Sequence, residues 1–282
     1  MNSSPAKTSR RPTTPVFALV IAGLAAYAAN DPSSIPSAAD RPMMYKGDKT
    51  FIDNSIIHTM ASMTAIVAVV YCHQHGRELT PPDPNLSFIA NILLMMGFVD
   101  ESTKTPSPKV VETLERVWIL YCDHEMTNST AAFLHVASTL ADPISCCMAY
   151  VAACNGPLHG GAIDLAYKSF ERLQSPNAVP ELIADIKAKK YRLFGYGHRI
   201  YKTVDPRAKF IRGMLEELEE EMRGNPLLKV ALEIDDVASK DEYFTKRNLK
   251  ANADLFGCFV YMALYVQSSP LANVGDVLLI IW

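Results

Sequence analysis

The stretch AAFLHVASTLADPISCCMAYVAACNGPLHGGA, Ala131 to Ala162, decides the fold. From Ala131 to Ala153 it is rich in Ala, Ser and Cys, small side chains that suit close helix packing. Asp142-Pro143 divides this run into two helices, because proline lacks the N–H of a helix interior but fits a first turn. Asn155-Gly156-Pro157 stops the second helix, and the pattern from Gly161 to Leu173 is helical again.

The same texture extends outward. Upstream, Ser107-Pro108 opens a helix through Val111, Leu114 and Val117 to about Tyr121. Ser87 to Phe98 is an apolar helix after the break at Pro81-Pro82-Asp83-Pro84. Ile52 to Cys72 carries Met60, Met63, Ile66, Val67 and Val70 at helical spacing and reads as a core helix. Downstream, Val179 to Lys189 is helical, and Phe210 to Arg223 is an amphipathic helix whose Glu216, Glu217, Glu219, Glu220 and Glu221 read as a solvated face. Asn225-Pro226 precedes a further helix through Ala238. Strands are limited to short pieces, and the class is all-α.

At the amino end, Met1 to Pro15 holds Lys7, Arg10 and Arg11 without an acid and reads as a disordered arm. The apolar run Val16 to Ala29 has three readings: a secretory signal, a buried helix bounded by Pro15 and Asn30-Asp31-Pro32, or part of an organelle transit peptide.

Composition excludes several classes. The chain has 282 residues, is 49% hydrophobic and 20% charged, and carries a net charge of −3, values of a globular chain able to bury a core. That charge offers no electrostatic footprint for nucleic acid. No uninterrupted apolar run reaches the roughly 18 residues of a membrane span. The cysteines (72, 122, 146, 147, 154 and 258) form no C-x-x-C pair, so free thiols are expected rather than a zinc ribbon or a disulfide framework.

Four polar constellations stand out. His159 lies among glycines in Asn155–Ala162 and just before a helix, whose positive end disfavours imidazolium. It reads either as a neutral donor to a developing oxyanion or as part of a turn that needs glycine. Leu193-Phe194-Gly195-Tyr196-Gly197-His198-Arg199-Ile200-Tyr201-Lys202, followed by Asp205-Pro206-Arg207, packs His198 and three cations into a short segment. That segment suits a polyanionic ligand or is a solvated basic turn, and it lacks the third glycine of a dinucleotide fingerprint. Asp123-His124-Glu125 could bind a metal or an anion, although no second ligand pair supports a metal. In Asn252-Ala253-Asp254, the aspartate reads as a partly buried general base or as a helix N-cap. No Gly-x-Ser-x-Gly elbow marks a hydrolase.

Taken together and in order, these four strings resemble the citrate synthase family, over roughly Val16 to Tyr261. The resemblance implies a two-domain helical fold: an arm at 1–15, a large domain at 16–160, a small domain at 161–265 and a return to the large domain at 266–282. It implies condensation of an acyl-CoA, acetyl-CoA by default, with oxaloacetate, releasing CoA and a citrate-type acid. Asp254 would take the methyl proton, His159 would steady the enol, and His198 would polarise and protonate the ketone. His124 and Arg207 would hold the acceptor, and Leu193, Gly195, Tyr196 and Gly197 would lie against CoA. No metal or bound cofactor is implied; the CoA thioester is a substrate. A homodimer is implied, with neither nucleic acid nor membrane as a partner, in mitochondria or cytoplasm rather than outside the cell.

Departures from the family pattern are local. Ala253 replaces a usual valine, Lys250-Ala251 a common Tyr-Pro pair, and Tyr121 a frequent histidine. The family has more chain before Val16, and past Tyr261 it has a helix with acceptor-binding arginines, whereas here no arginine follows Arg247. Loss of such a bidentate partner weakens binding by roughly 2–5 kcal/mol. The alternative expectation is therefore a truncated family member, incomplete at both ends, that serves as a binding or dimer-partner protein, or a defective gene model.

Overall fold

The computed structural model describes residues 16–30, 49–122, 126–218 and 225–266. The amino-terminal arm, His124, the acidic positions Glu219, Glu220 and Glu221, and the segment past Val266 lie outside the described residues. Within them the protein is helical, with no strand and one isolated antiparallel bridge between Tyr196 and Ala251.

Local chemistry sets the helix limits. Helices α1 (Val16–Asn30) and α2 (Lys49–His75) lead into α3 (Phe88–Met96). Ser87 Oγ caps α3 by accepting from the Ala90 N–H, and Gly97 ends it at φ 79°, a left-handed conformation that a Cβ would strain. After α4 (Pro108–Cys122), Thr127 caps α5 (Asn128–Ala137). Asp142 then caps α6 (Pro143–Cys154), accepting from the Ser145 N–H at 2.9 Å and the Ser145 hydroxyl at 2.6 Å. Gly161–Leu173 forms α7, Val179–Lys187 α8, Ala208–Glu217 α9, Pro226–Lys240 α10 and the short Glu242–Thr245 α11. The last described helix, α12, spans Ala253–Val266.

Packing runs as a chain of neighbours. α5 lies along α6, α6 along α1, α1 on α2, α2 on α3, and α3 on α4. α12 closes the series by packing on α4, α7, α9 and α10. Leu255, Phe256, Cys258, Phe259, Val260 and Ala263 are all buried, so α12 is enclosed on every side. Phe170 of α7 stacks on Phe259 with ring centroids 5.6 Å apart. All six cysteines are free; four are buried, Cys147 is half-buried and Cys122 is exposed.

One sequence expectation, for α2, changes. The whole apolar stretch of α2 reads as core, yet burial is confined to Ala68 and Val70–Cys72, while Ile56, Ile57 and Met60 are more than half exposed. Its amino-terminal half is only partly covered, with His58 against Tyr27 of α1. By length and mean hydropathy α2 is also long and apolar enough to cross a membrane, with 28% of its most apolar window buried. The run-length criterion misses this because Ser, Thr and His interrupt the apolar residues without making the average polar. The acidic face of α9 is solvated where it is described: Glu216 and Glu217 are exposed, and Glu217 accepts from both terminal nitrogens of Arg116 on α4, at 2.5 and 2.9 Å.

Removing one of the stacked rings tests the α7–α12 contact. Phe170→Ala is expected to cost about 3–5 kcal/mol, read as a lowered urea midpoint at unchanged slope.

Candidate active site

The start of α12 is the meeting point of the polar segments. Asn252, not Asp254, provides the cap: Asn252 Oδ1 accepts from the Asp254 N–H at 2.9 Å. Asp254 therefore sits in the first turn with its carboxyl released from capping. The other end of the Asn252 amide donates to Gly197 O at 2.8 Å, and the Asn252 N–H donates to Gly195 O at 3.0 Å. The Gly197 N–H donates to Lys250 O at 2.7 Å. The Gly195–His198 segment is thus laced to the helix that bears Asp254. Both glycines are required: φ is 83° and 82°, and a Cβ at Gly195 would stand 2.9 Å from the Leu255 Cα.

Asp205 and Arg207 are buried, at 2% and 7% exposure, which rules out the solvated-turn reading for this pair. Asp205 accepts from Arg207 Nε at 3.0 Å and Nη2 at 2.8 Å. Asp205 Oδ2 also accepts from the Ala253 N–H at 3.1 Å, which fastens the pair to the first residue of α12. Burial pushes the Asp205 carboxyl up, but the bonds from Arg207 and the Ala253 N–H outweigh it and hold it below its ordinary value. For Asp254, burial pushes the carboxyl up to about 6; Arg207 opposes the shift and Asp205 adds to it.

The two histidines are held by different nitrogens. His198 Nδ1 accepts from the Ile200 and Tyr201 N–H groups at 3.1 and 3.2 Å, and its ring lies against Tyr201. The neutral ring then carries its proton on Nε2. His159 Nε2 faces the Ser129 hydroxyl at 2.8 Å and accepts from the Ser129 N–H at 3.3 Å, which places the neutral ring's proton on Nδ1. His159 lies two residues before α7, and the turn beneath it has no space for side chains: a Cβ at Gly160 would meet the Cys154 carbonyl oxygen at 2.6 Å.

Asn252 and Ala253 thus link the Gly195–Gly197 segment and the Asp205–Arg207 pair to the turn that bears Asp254, while His159 is bonded to Ser129 and precedes α7, which packs on α12. Leu193 and Tyr196 are buried, and the Tyr196 hydroxyl is anchored on Asp235 at 2.5 Å. Beside this segment lies a hollow of about 380 Å³ whose wall includes Phe194, Arg192, Arg172, Lys168 and Leu182. Sequence reasoning missed the parts played by Ser129, Asp205 and Asn252. Their sole signal was proximity to the histidine and aspartate motifs. Among the described residues no three potential metal ligands cluster.

Among the described residues the fold is helical, and it sets two histidines with opposite nitrogens accepting bonds, a carboxyl raised by burial and a buried arginine braced by a carboxylate on neighbouring segments. The chain belongs to the citrate synthase family: the model described as citrate synthase, C-terminal domain, matches residues 6–273. It is 51% identical over 249 residues to the citrate synthase-like protein oryE of Aspergillus oryzae, covering 88% of this chain and 56% of that protein. It is 37% identical over 252 residues to the alkylcitrate synthase phiJ of a fungal species, covering 89% and 55% respectively. Among solved structures, the citrate synthase of Thermoplasma acidophilum, in a ternary complex with carboxymethyl coenzyme A and oxaloacetate, superposes with a TM-score of 0.77. That match is at 30% identity and covers 95% of this chain and 65% of the other. The chain spans about half the length of the curated relatives it matches.

Breaking the Asp205–Arg207 pair tests the brace. Asp205→Asn leaves a buried guanidinium uncompensated and is expected to cost about 3–5 kcal/mol in urea denaturation at pH 7. Because the Asp205 value is depressed in the fold, the contribution of its charge is present above the unfolded value near 4. It is lost as pH falls through the depressed value, so variant and parent should converge in strong acid.

Proposed function

We propose that this protein condenses an acyl-CoA with oxaloacetate in the manner of a citrate synthase, releasing CoA and a citrate-type acid. The observation that carries the reading is the knot at the start of α12, where Asn252 bonds the Gly197 carbonyl and the Asp254 N–H, and the Ala253 N–H bonds the Asp205–Arg207 pair. A thioester methyl is a very weak acid, so its removal needs a base and an enol stabiliser acting together. Asp254 takes the methyl proton, and its raised value makes it a stronger base than an exposed carboxylate. His159 donates its Nδ1 proton as a hydrogen bond to the enol oxygen, since Ser129 occupies Nε2. The enol carbon attacks the oxaloacetate ketone, and the ketone oxygen takes the proton from His198 Nε2. Water then cleaves the thioester and frees CoA. Arg207 holds an acceptor carboxylate with the N–H groups that Asp205 leaves open, and His124 contacts the acceptor by family resemblance. The reaction requires no metal or redox cofactor.

CoA lies against the Leu193–Gly197 segment in this reading. Because Leu193 and Tyr196 are buried, the contact in this reading is made by backbone groups and the flanking Phe194. A small domain, 161–265, closes over a large domain, 16–160, and thereby dries the site. The chain pairs as a homodimer, for which the exposed Ile56, Ile57, Met60 and Val69 of α2 supply an apolar face. Acetyl-CoA is the default donor, and similarity to an alkylcitrate synthase supports including longer acyl chains in the same assay.

The test is thiol release from acetyl-CoA and longer acyl-CoAs, with and without oxaloacetate. Release should depend on oxaloacetate, and kcat/KM should fall on the acid side with an apparent pKa of about 6, because protonation removes the base. Asp254→Asn should abolish release, a loss of at least about 10²–10⁴-fold. The same variant should raise Tm at pH 7.5 and leave it unchanged near pH 4. Ionising a carboxyl whose folded value is raised penalises the fold only above its unfolded value. A cooperative melt with oxaloacetate binding but no release would instead favour a binding protein.

A further inference from the structure

The acceptor-binding role of Arg207 depends on the orientation of its guanidinium plane, and Asp205 alone cannot fix that plane. The two bonds from Nε and Nη2 to Asp205 define one edge of the guanidinium. They leave a rocking motion about that edge, which would swing the open Nη1 edge away from a ligand. The ring of Tyr121 stands across the face of the group, with the Arg207 Cζ 5.3 Å from the ring centroid. This is within the range of an attractive cation–π contact, and Arg207 is almost fully desolvated, which strengthens it.

Tyr121 is itself keyed in place. A Cβ built on Gly257 would lie 2.6 Å from the Tyr121 hydroxyl, so the absence of a side chain at Gly257 creates the notch that the hydroxyl fills. Gly257 belongs to α12, one turn beyond Asp254. Glycine inside a helix is otherwise unfavourable relative to alanine, and steric need accounts for it here. Burial holds the Tyr121 phenol well above its ordinary value, with the nearby Asp254 charge adding to the effect, so the group is neutral.

We propose that Tyr121 is a positioning residue for acceptor binding: its ring carries the Arg207 guanidinium, and the missing side chain at Gly257 makes the room its hydroxyl needs for the ring to take that place beside the helix that bears Asp254. This assignment rests on the reading that Arg207 holds the oxaloacetate carboxylate. It extends that reading by making acceptor affinity depend on the Tyr121–Gly257 fit.

Calorimetric titration of the whole chain with oxaloacetate, alongside thermal melts, tests it. Tyr121→Phe keeps the ring and should leave Kd within about twofold. Tyr121→Leu removes the face and should raise Kd about tenfold. Gly257→Ala should expel the hydroxyl and raise Kd in the same direction, and adding Tyr121→Phe should restore it by making room for the new methyl group. In turnover assays the rise should fall on KM for oxaloacetate rather than on kcat. If Tyr121→Leu does not fold, the Gly257→Ala single variant and its double with Tyr121→Phe decide the matter. A Kd unchanged in Gly257→Ala, or not recovered in the double variant although its melt recovers, would show a merely structural contact and overturn the assignment. A parent chain that binds no oxaloacetate overturns the functional reading itself and this assignment with it, whereas a parent that binds normally with unresponsive variants overturns this assignment alone.

Discussion

The site depends on one buried ion pair. Asp205 and Arg207 are two residues apart, nearly inaccessible to solvent, and bonded through two nitrogens of the guanidinium. Taking two charges out of water is costly, and a buried pair of this kind is weak as a source of stability. Its value here is positional. The second oxygen of Asp205 reaches the Ala253 N–H, so the first turn of α12 starts where the pair places it. Asp254 follows within that turn, and Asn252 before it turns its side chain to the Gly197 carbonyl. Two stretches distant in sequence, 195–207 and 252–254, are thereby brought into register.

The environment of Asp254 follows from the same arrangement. Enclosure by α4, α7, α9 and α10 removes water from α12, which pushes the carboxyl up to about 6, and the Arg207 charge limits that rise. A carboxyl raised in this way remains ionised at neutral pH while being more basic than a solvated one. The fold pays stability to hold such a group, as functional sites commonly do. The histidines are tuned by hydrogen bonding: Ser129 takes Nε2 of His159, and the backbone at 200 and 201 takes Nδ1 of His198. In the neutral rings the protons then sit on opposite nitrogens, Nδ1 in His159 and Nε2 in His198.

Much of the fold was legible because helix ends obey local chemistry. Ser87 and Gly97 bound α3, Asp142-Pro143 separates α5 from α6, and Asn225-Pro226 opens α10, each through a bond within a few residues. The site was legible as residue types in order, not as geometry. Asp205-Pro206-Arg207 looks like a solvated turn because nothing local signals that Ala253, 48 residues on from Asp205, will supply an N–H. For the same reason the capping role suggested for Asp254 belongs to Asn252, whose second contact is 55 residues away. The apolar run of α2 identified a helix but not its exposure, since periodicity carries no information about where neighbouring helices end.

The central claim is that Asp254 removes one methyl proton and that the carbon is then joined to oxaloacetate. The most direct measurement is mass analysis of the product formed from acetyl-CoA fully deuterated at its methyl group. The account predicts an oxaloacetate-dependent tricarboxylate that retains two deuterons, and its loss in Asp254→Asn. Acetate that retains all three deuterons, or no consumption of the thioester in the presence of bound oxaloacetate, would contradict it.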